Sequence, residues 1–439
     1  MKIITTDEKK KSFWEVEEVQ AKAIGCMNQI RIFPEIRRQQ MKGFGGAFTE
    51  SAGYCYSKFD DEVKERFLKA YFSEDGLRYN VGRTHINSCD FALGNYAAVE
   101  QTKDGLSEFD MTRANQYVLP LIQDACTVKG EKIELLLSPW SPPSYMKTNG
   151  EMNHGGQLKE ECYGDWAEYV AVYLEHLRAE GLQLTYLTVQ NEPAAVQTWD
   201  SCIYSAKEEM VLVRDFLAPT LAAHGLGDIK ILVWDHNKEI IYDRAKESLS
   251  DEKARGFIYG VAMHWYTGDH FEQLDLVKEA FPEKEIFFTE GCVEYSRFVD
   301  SNEVKKAEMY AHDMIGNFTH QVSAFFDWNL LLDAKGGPNH VGNFCAAPIM
   351  CTESEKDFEK RLSYYYIGHF SRYIEKGAYA VACSRYCSEI ETAAFINPSG
   401  EVVVVLLNRQ DKAIETSVGI DGMGTDLVLK GHTITTLIF

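Results

Sequence analysis

Eight short apolar runs alternate with segments of helical periodicity through the middle of the chain. Segments such as DEVKERFLKAYFS and WAEYVAVYLEHLRAE place apolar residues at the spacing of one helix face. The runs are GFGGAF (43–48), VGRTHI (81–86), IELLLS (133–138), YLTVQ (186–190), IKILVW (229–234), VAMHWY (261–266), EIFFTE (285–290) and SAFFDWNL (323–330). Strands alternating with helices form parallel sheets, and eight such units close a barrel. The alternative is a doubly wound open sheet, which is disfavoured because this chain has no G-x-G-x-x-G after the first run. The sequence therefore predicts an α/β fold, a (β/α)₈ TIM barrel.

The two ends of the chain have a different character. After Ile374, short strand-like runs such as EVVVVLLNR and HTITTLIF are separated by the turn signals NPSG and DGMG. The first forty residues also contain strand-like runs, FWEVEEVQ and IRIFPEIRRQQ. We expect an all-β sandwich built from residues 1–40 and 377–439, flanking a catalytic barrel of residues 41–376. Its expected role is structural.

The net charge and the cysteines of the chain limit the classes of partner and the compartment that we expect for it. The chain of 439 residues has 66 Asp and Glu against 45 Lys and Arg, a net charge of −21, which disfavours nucleic acid or an anionic membrane as partner. The start, MKIITTDEKKK, has no apolar segment of a signal peptide, and no run is long enough to span a membrane. We therefore expect a cytoplasmic protein with reduced thiols. Cys383 and Cys387 have no second pair at zinc spacing, so no metal or cofactor is predicted.

Polar and aromatic residues follow nearly every predicted strand. They are Thr49 and Glu50, Asn87 and Asp90, Trp140, Asn191 and Glu192, Asp235, His236 and Asn237, His264, Trp265 and Tyr266, Glu290, and Asp327, Trp328 and Asn329. Barrel enzymes carry their active sites at these carboxyl ends. Because barrel packing does not require such residues, the pattern predicts a site.

The residue types at these ends indicate carbohydrate chemistry. Aromatic side chains suit the apolar faces of sugar rings, whereas amides and carboxylates suit their hydroxyl groups. Glycoside cleavage needs two carboxyl groups across the scissile bond. Glu192 and Glu290 follow strands four and seven, so they can face each other across the barrel mouth. Either could instead be a buried carboxylate that pairs with a loop amide or an arginine.

Seven motifs in order resemble glycoside hydrolase family 30, within the retaining clan of (β/α)₈ glycosidases, and most closely its glucosylceramidase-like branch. They are GFGGAFTESA, RTHINSCDF, LLSPWSPPSYMKTNG, QNEP, HWY, TEGC and DWNLLLDAKGGPNHVGNFCAAPI, over roughly residues 40–350. The closing GHTITTLIF is similar to a terminal strand of that family's sandwich. The resemblance implies a retaining β-glycosidase that acts through a covalent glycosyl-enzyme.

This resemblance assigns the two carboxylates. Glu192 of QNEP matches the acid/base and Glu290 of TEGC matches the nucleophile. Glu290 must then stay ionised while Glu192 holds a proton, which requires a pKa of about 6–7. We expect the charge on Glu290 to raise the pKa of Glu192.

The resemblance also implies a sugar-binding set. Asn191 matches the amide that bonds the 2-hydroxyl. Asp90, Trp140 and Asn343 match positions that hold the distal hydroxyls of a terminal glucose, and Trp328 matches the floor of that subsite.

The remaining assignments surround the nucleophile. Arg83 matches an arginine beneath it, His264 and Tyr266 match groups beside it, and Asn237 matches a supporting amide. Arg83 could instead be a structural ion-pair member, and His264 a satisfied core histidine. Trp265 is expected to face the helices.

Departures from the glucosylceramidase pattern leave the substrate open. His236 stands where that branch has an acid, and His340 where it has a tryptophan. Residues 90–110 and 197–209, on the leaving-group side, do not match a lipid-binding rim. We expect a soluble β-glucoside or short β-gluco-oligosaccharide as substrate. The alternatives are β-xylosidase, β-1,6-glucanase and β-fucosidase activity, a non-catalytic sugar-binding barrel, or a scaffold.

Overall fold

The chain begins with strands whose partners lie at its other end. The computed structural model describes residues 1–99, 109–298 and 301–439. The first strands are β1 (Lys2–Asp7), β2 (Ser12–Glu18), β3 (Lys22–Ala23) and β4 (Gln29–Gln40). β1 lies between β2 and the last strand of the chain, in a segment that the sequence did not mark as a strand.

Strands then alternate with helices. These elements are β5 (Gly43–Ala47), α1 (Glu50–Ser57), α2 (Asp61–Phe72), β6 (Val81–Ile86), α3 (Leu119–Lys129), β7 (Glu134–Pro139), α4 (Tyr163–Ala179), β8 (Gln183–Thr188), α5 (Ala206–Val211), α6 (Ala218–Ala223), β9 (Lys230–Asn237), α7 (Ile241–Ser248), α8 (Glu252–Phe257), β10 (Ile258–His264), α9 (Phe271–Ala280), β11 (Glu285–Glu290), β12 (Val293–Glu294), α10 (Glu303–Thr319) and β13 (Ala324–Asn329). Short π-helical segments, Ala114–Val118 and Leu212–Leu217, precede α3 and join α5 to α6. Short 3₁₀ turns span Glu8–Lys10, Ser144–Met146, Glu160–Cys162 and Lys238–Ile240.

Eight parallel strands close into the predicted barrel, in the order β10-β11-β13-β5-β6-β7-β8-β9. All eight apolar runs form its strands, so the prediction of a TIM barrel is confirmed. The largest differences from the runs are in three strands: β8 begins three residues before YLTVQ, β9 continues past IKILVW to Asn237, and β10 begins three residues before VAMHWY and ends at His264. A narrow barrel also explains the glycines of the first run, because a Cβ on Gly45 would lie 1.9 Å from the Val81 carbonyl oxygen.

Side chains pack on both faces of the barrel wall. The interior is filled by Val81, Leu136, Tyr186, Leu232, Ala262, Phe287, Ala324 and Phe326, at alternate positions of the strands. The larger core lies between the strands and the helices. Several helices begin at a side-chain cap, as the sequence favours; these caps are Thr49, Asp60, Ser205, Asp251 and Asn302.

The chain returns to the first sheet after the barrel. The remaining elements are β14 (Cys345–Ala346), β15 (Ile349–Cys351), β16 (Phe358–Lys360), α11 (Leu362–Ser371), β17 (Tyr379–Arg385), β18 (Ile390–Ile396), β19 (Val402–Asn408), β20 (Ile414–Ile420), β21 (Met423–Leu429) and β22 (Thr433–Ile438). Ten strands join in the order β2-β1-β22-β19-β18-β17-β4-β20-β21-β3. The predicted sandwich from both termini is therefore confirmed, whereas its exact boundaries stay a prediction.

β4 connects the two halves of this sandwich. It pairs antiparallel with β17 and parallel with β20, and a register shift leaves Pro34, Glu35 and Ile36 bulged between Phe33 and Arg37. A proline, which cannot donate to the ladder, is favoured at such a bulge. A second apolar core fills the sandwich.

Side chains from the sandwich also hold the barrel. The Gln39 amide donates to the carbonyl oxygens of Phe318 (2.7 Å) and Val322 (2.8 Å). The Trp14 indole donates to the Tyr365 carbonyl oxygen at 2.8 Å. None of the helices in the described ranges is long and apolar enough to cross a membrane.

Asp327, on β13, predicts a pH dependence of stability. It is fully buried, its Oδ1 accepts from the Tyr310 hydroxyl at 2.9 Å, and its Oδ2 has no partner among the described residues. Burial raises its pKa to about 8, although the Tyr310 hydroxyl and the Trp328 amide oppose the shift. The folded state thus keeps a proton that the unfolded chain releases near pH 4. The stabilisation from this proton is full below that pH and is lost as the pH rises to about 8.

We expect Asp327→Asn to remove this dependence. The melting temperature of the variant, minus that of the wild type, should increase between pH 5 and pH 8. The increase corresponds to a change of a few kcal/mol in the free energy of unfolding of the variant relative to the wild type. Thermal unfolding followed by circular dichroism measures it, with Asp421→Asn, at an exposed turn, as the control. Parallel pH profiles for Asp327→Asn and the wild type would contradict the assignment.

Candidate active site

A cavity of about 290 Å³ opens at the carboxyl ends of the barrel strands. It is lined by Asp90, Trp140, Asn191, Glu192, Gln197, Trp199, His236, Asn237, Tyr266, Thr267, Glu290, Cys292, Glu294, Arg297, Trp328, Asn343 and Cys345. Most of the residues singled out from the sequence are in this set. Arg83 and His264 lie just behind them, both fully buried.

Glu192 and Glu290 face each other in this cavity. Glu290 is the last residue of β11. Glu192 follows β8 with a φ of +47°, an unusual conformation for a glutamate, and its N–H donates to the Asp235 carbonyl oxygen at 3.0 Å. One oxygen of each glutamate and a ring nitrogen of His264 all lie within 4.8 Å of one another. The two carboxylates therefore belong to one site.

A buried arginine organises the floor of the site. The Arg83 guanidinium donates to Glu290 Oε2 (2.6 Å), Asp235 Oδ2 (2.8 Å), Asn191 Oδ1 (2.9 Å) and Ser138 Oγ (3.1 Å). Its partners come from four different strand ends, which it fixes relative to one another. The charge of Arg83 also opposes the rise that burial causes in the pKa of Glu290.

A bulge in β9 places a third carboxylate inside the barrel. Trp234 and Asp235 have φ values of +75° and +50°, next to a register shift between β9 and β10. The Asp235 carboxylate accepts from the hydroxyls of Thr188 (2.7 Å) and Thr289 (2.5 Å). Burial raises its pKa, but Arg83 and the other donors outweigh burial and hold the pKa well below its usual range. The sequence placed Asp235 at a strand end without a role, because the bulge is not visible there.

His264 lies between the carboxylates. Its Nε2 is 3.1 Å from Asp235 Oδ1, its Nδ1 is 3.2 Å from Glu192 Oε1, and Nδ1 is 4.0 Å from Glu290 Oε1. Burial lowers its pKa, but the charges of Glu290, Asp235 and Glu192 outweigh burial and raise the pKa to about 9. His264 therefore carries a proton at neutral pH and contacts both Asp235 and Glu192.

The pKa values of the two glutamates differ from the sequence-based expectation. Burial raises the pKa of Glu192, yet His236 and His264 lower it to about 2. Because burial lowers the pKa of His236, the charge beside Glu192 at neutral pH is that of His264. Burial raises the pKa of Glu290, against His264 and Arg83. The expected rise in the pKa of Glu192 is therefore wrong for the free protein, because the sequence did not show an imidazolium at this carboxylate.

Tyr266 and Asn237 form the wall beside Glu290. The Tyr266 hydroxyl donates to Glu290 Oε1 at 2.9 Å and lies 3.5 Å from Cys292 Sγ. The Asn237 side-chain oxygen accepts from the Tyr266 backbone N–H at 2.9 Å. Asn237 thus positions the backbone of Tyr266, as a supporting amide would.

Another part of the cavity wall is aromatic and acidic. The rings of Trp140 and Trp328 stack with centroids 5.1 Å apart. The Asn339 side-chain amide donates to Asp90 Oδ2 at 3.2 Å, and its oxygen accepts from the Asn343 backbone N–H at 3.0 Å. Burial raises the pKa of Asp90 well above its usual range. The structure therefore brings together the residues to which the resemblance gave sugar contacts; those contacts stay a prediction.

Other residues at the site were missed or lie elsewhere. The cavity wall also contains Thr267, Glu294, Arg297, Cys292 and Cys345, which the sequence did not single out, and Gln197 and Trp199 from the predicted leaving-group segment 197–209. Only their positions after strands could have indicated them. His236 lines the cavity with Nε2 3.8 Å from Glu192 Oε1. His340 instead pairs with Asp200 at 3.4 Å, outside the cavity wall. Of the predicted leaving-group segment 90–110, residues 100–108 lie outside the described residues.

Comparisons with known families agree with this geometry. The glycosyl hydrolase family 30 TIM-barrel domain matches residues 41–374, and the family 30 beta sandwich domain matches residues 377–437. The chain belongs to glycoside hydrolase family 30. It is accordingly an O-glycoside hydrolase, and its substrates are carbohydrates.

Individual relatives in this family have different names. Lysosomal acid glucosylceramidase of Mus musculus is 30% identical over 97% of this chain and 86% of its own. The crystal structure of SrfJ from Salmonella typhimurium is 39% identical, covers 100% of this chain and 99% of its own, and gives a TM-score of 0.97. A solved endo-β1,6-glucanase is 27% identical, covers 99% and 98%, and gives a TM-score of 0.89.

Tyr266→Phe tests the contact with Glu290. The phenol lowers the pKa of Glu290, so its loss raises that pKa. Glu290 then takes up its proton at a higher pH, and we expect the acid limb of the kcat/KM profile to move to higher pH. Loss of a hydrogen bond to a charged group should also lower kcat/KM by about 10- to 100-fold.

Hydrolysis of an aryl β-glycoside as a function of pH measures both effects. Tyr259→Phe, at the other end of β10, is the matched control. An acid limb that stays in place in Tyr266→Phe would exclude this role for the phenol.

Proposed function

We propose that the protein is a retaining β-glucosidase that hydrolyses β-linked glucosides or short β-gluco-oligosaccharides. The observation that carries the proposal is the approach of Glu192 and Glu290 to within 4.8 Å across one cavity. Retaining glycosidases hold their two carboxyl groups about 5–5.5 Å apart, whereas inverting enzymes leave room for a water molecule. The short separation favours retention through a covalent intermediate.

In this proposal Glu290 is the nucleophile. Its Oε2 is occupied by Arg83, whereas Oε1 faces Tyr266 and the cavity. Oε1 forms the bond to the anomeric carbon as the bond to the leaving oxygen breaks, and that oxygen receives a proton from Glu192. Water then attacks the anomeric carbon of the ester, Glu192 accepts the proton of the water, and the Glu290 carboxylate is released.

His264 is proposed to store the proton that Glu192 delivers. In the free protein the charge of Glu290 is the main factor that raises the pKa of His264. That charge disappears when Glu290 becomes an ester, so the imidazolium then holds its proton less tightly. The proton can pass from Nδ1 to Glu192 Oε1, 3.2 Å away, as Glu192 protonates the leaving oxygen. When Glu192 later takes a proton from water and Glu290 regains its charge, the proton returns to Nδ1 and restores the starting state. Asp235 fixes the ring from its other side throughout.

The proposed preference for glucose rests on the part of the cavity wall that is aromatic and acidic. Trp140, Trp328, Asp90 and Asn343 would face the sugar ring and its distal hydroxyls. The relatives named as glucosylceramidase and endo-β-1,6-glucanase support a glucose unit in this position. Xylose and fucose remain the alternative glycones, and turnover of 4-nitrophenyl β-glucoside, β-xyloside and β-fucoside ranks the three. Faster turnover of either alternative would overturn the glucose assignment.

Glu192→Ala tests the acid/base role and the stereochemistry together. With 4-nitrophenyl β-glucoside, whose leaving group needs little protonation, the glycosyl-enzyme should form and accumulate. Azide should restore turnover and give the β-glucosyl azide, because it attacks the α-linked intermediate with inversion. Nuclear magnetic resonance of the product distinguishes the anomers. An α-azide, or the same rescue in Glu290→Gln, would contradict the assignment.

His264→Asn tests the proton store. The asparagine can keep a hydrogen bond near the Nδ1 position but holds no titratable proton. In the wild type, kcat/KM should fall as the pH rises through about 9, where His264 loses its proton. In the variant Glu192 must hold its own proton, so we expect the alkaline limb to move to lower pH.

The pH dependence of kcat/KM for 4-nitrophenyl β-glucoside measures this shift. His369→Asn is the control, because burial lowers the pKa of His369 to about 3 and its ring contacts Thr6 and Thr436, far from the cavity. If the alkaline limb of His264→Asn coincides with that of the wild type, the proton is stored elsewhere.

A further inference from the structure

A second cavity, of about 270 Å³, adjoins the catalytic cavity. The two share three wall residues, Tyr266, Thr267 and Arg297. Arg297 lies on the boundary between the two cavities. Its guanidinium donates to the Tyr266 carbonyl oxygen at 2.8 Å and to Glu294 Oε2 at 3.1 Å. A molecule that extends out of the catalytic cavity along this side passes directly into the second one.

The shared wall lies apart from the residues proposed to hold the glucose ring. None of the residues proposed to hold the glucose ring, such as Asp90, Trp140 and Trp328, lines the second cavity. The shared Tyr266 instead contacts Glu290 through its hydroxyl and Asn237 through its backbone N–H. A substrate whose glucose ring contacts the first set can therefore extend its leaving group past Glu290 and Tyr266 toward the second cavity.

The far wall of the second cavity is built by the sandwich and α10. Arg409, after β19, pairs with Glu391 at 2.6 Å. His312 of α10 lies between Glu391 (2.6 Å) and Asp269 (3.1 Å). Burial lowers the pKa of His312, but these two carboxylates outweigh burial and raise it. The sandwich thus contributes polar groups to the cleft, although the sequence predicted only a structural role for it.

Aromatic and polar groups alternate around this cavity. Trp265 and Phe298 supply ring surface, while Asp269, Thr267 and Arg409 supply hydrogen-bonding groups. A sugar unit uses both kinds of surface, since its ring faces are apolar and its edges carry hydroxyl groups. An alkyl chain would remove several charged groups from water without replacing their hydrogen bonds.

We propose that the second cavity binds the sugar units on the leaving-group side of a β-gluco-oligosaccharide. The inference rests on the proposed β-glucosidase activity and narrows its substrate from β-glucosides in general to oligosaccharides. Longer oligomers should therefore be better substrates, because their distal units gain contacts that an aryl glucoside does not make.

The test compares substrates of increasing length with two variants of the second cavity. The substrates are 4-nitrophenyl β-glucoside, octyl β-glucoside, and glucose oligomers of two, three and four units in the linkage that the wild type cleaves fastest. The variants are Phe298→Ala, which removes ring surface, and Asp269→Ala, which removes a polar partner. Tyr386→Ala, an aromatic residue on the sandwich that is 76% exposed, is the matched control.

We expect kcat/KM of the wild type to rise from the dimer to the longer oligomers. Phe298→Ala and Asp269→Ala should each reduce this increase in kcat/KM with oligomer length. The loss of the aromatic contact in Phe298→Ala should reduce it by about five-fold, whereas Tyr386→Ala should keep the wild-type increase. A kcat/KM that is independent of length, a preference for the octyl glucoside, or variants with the wild-type profile would overturn the inference. Failure to cleave any of the β-glucosides would instead refute the proposed function itself.

Discussion

The buried guanidinium of Arg83 is the interaction on which the active site depends. Two carboxylates, Glu290 and Asp235, lie in the barrel where a charge without a partner would be strongly destabilising. Arg83 contacts both and also donates to Asn191, so Glu290, Asn191 and the Asp235 carboxylate beside His264 are all held by one group. Arg83 and protonated His264 together supply two positive charges against the three carboxylates Glu290, Asp235 and Glu192. The site can therefore hold three carboxylates within a few hydrogen bonds of one another.

Backbone strain helps to bring these groups together. Glu192, Trp234 and Asp235 have left-handed φ values; Glu192 follows β8, and Trp234 and Asp235 lie at the bulge within β9. Such conformations persist only where the surroundings enforce them. Here the hydrogen bond from the Glu192 N–H to the Asp235 carbonyl oxygen joins two of the strained positions directly. The strain turns the Glu192 and Asp235 carboxylates toward His264 from opposite sides.

The sequence predicts the architecture and most of the site, because both follow from short-range patterns. Alternating apolar runs and helices define the barrel, and polar residues directly after the runs define its mouth. The two errors depend on distant contacts. β1 was missed because its pairing partner lies at the other end of the chain. The pKa of Glu192 was misjudged because the proton position depends on where the ring of His264 lies between Asp235 and Glu192.

We propose that Glu290 forms the covalent bond to the sugar while Arg83 keeps it available as a carboxylate. Incubation with a 2-deoxy-2-fluoro β-glucoside that has a good leaving group, followed by proteolysis and mass spectrometry, tests it most directly. We expect the label on the peptide that contains Glu290, with one sugar per chain and a loss of activity that follows labelling. A label on Glu192 or Asp235, or inactivation without any label, would contradict it.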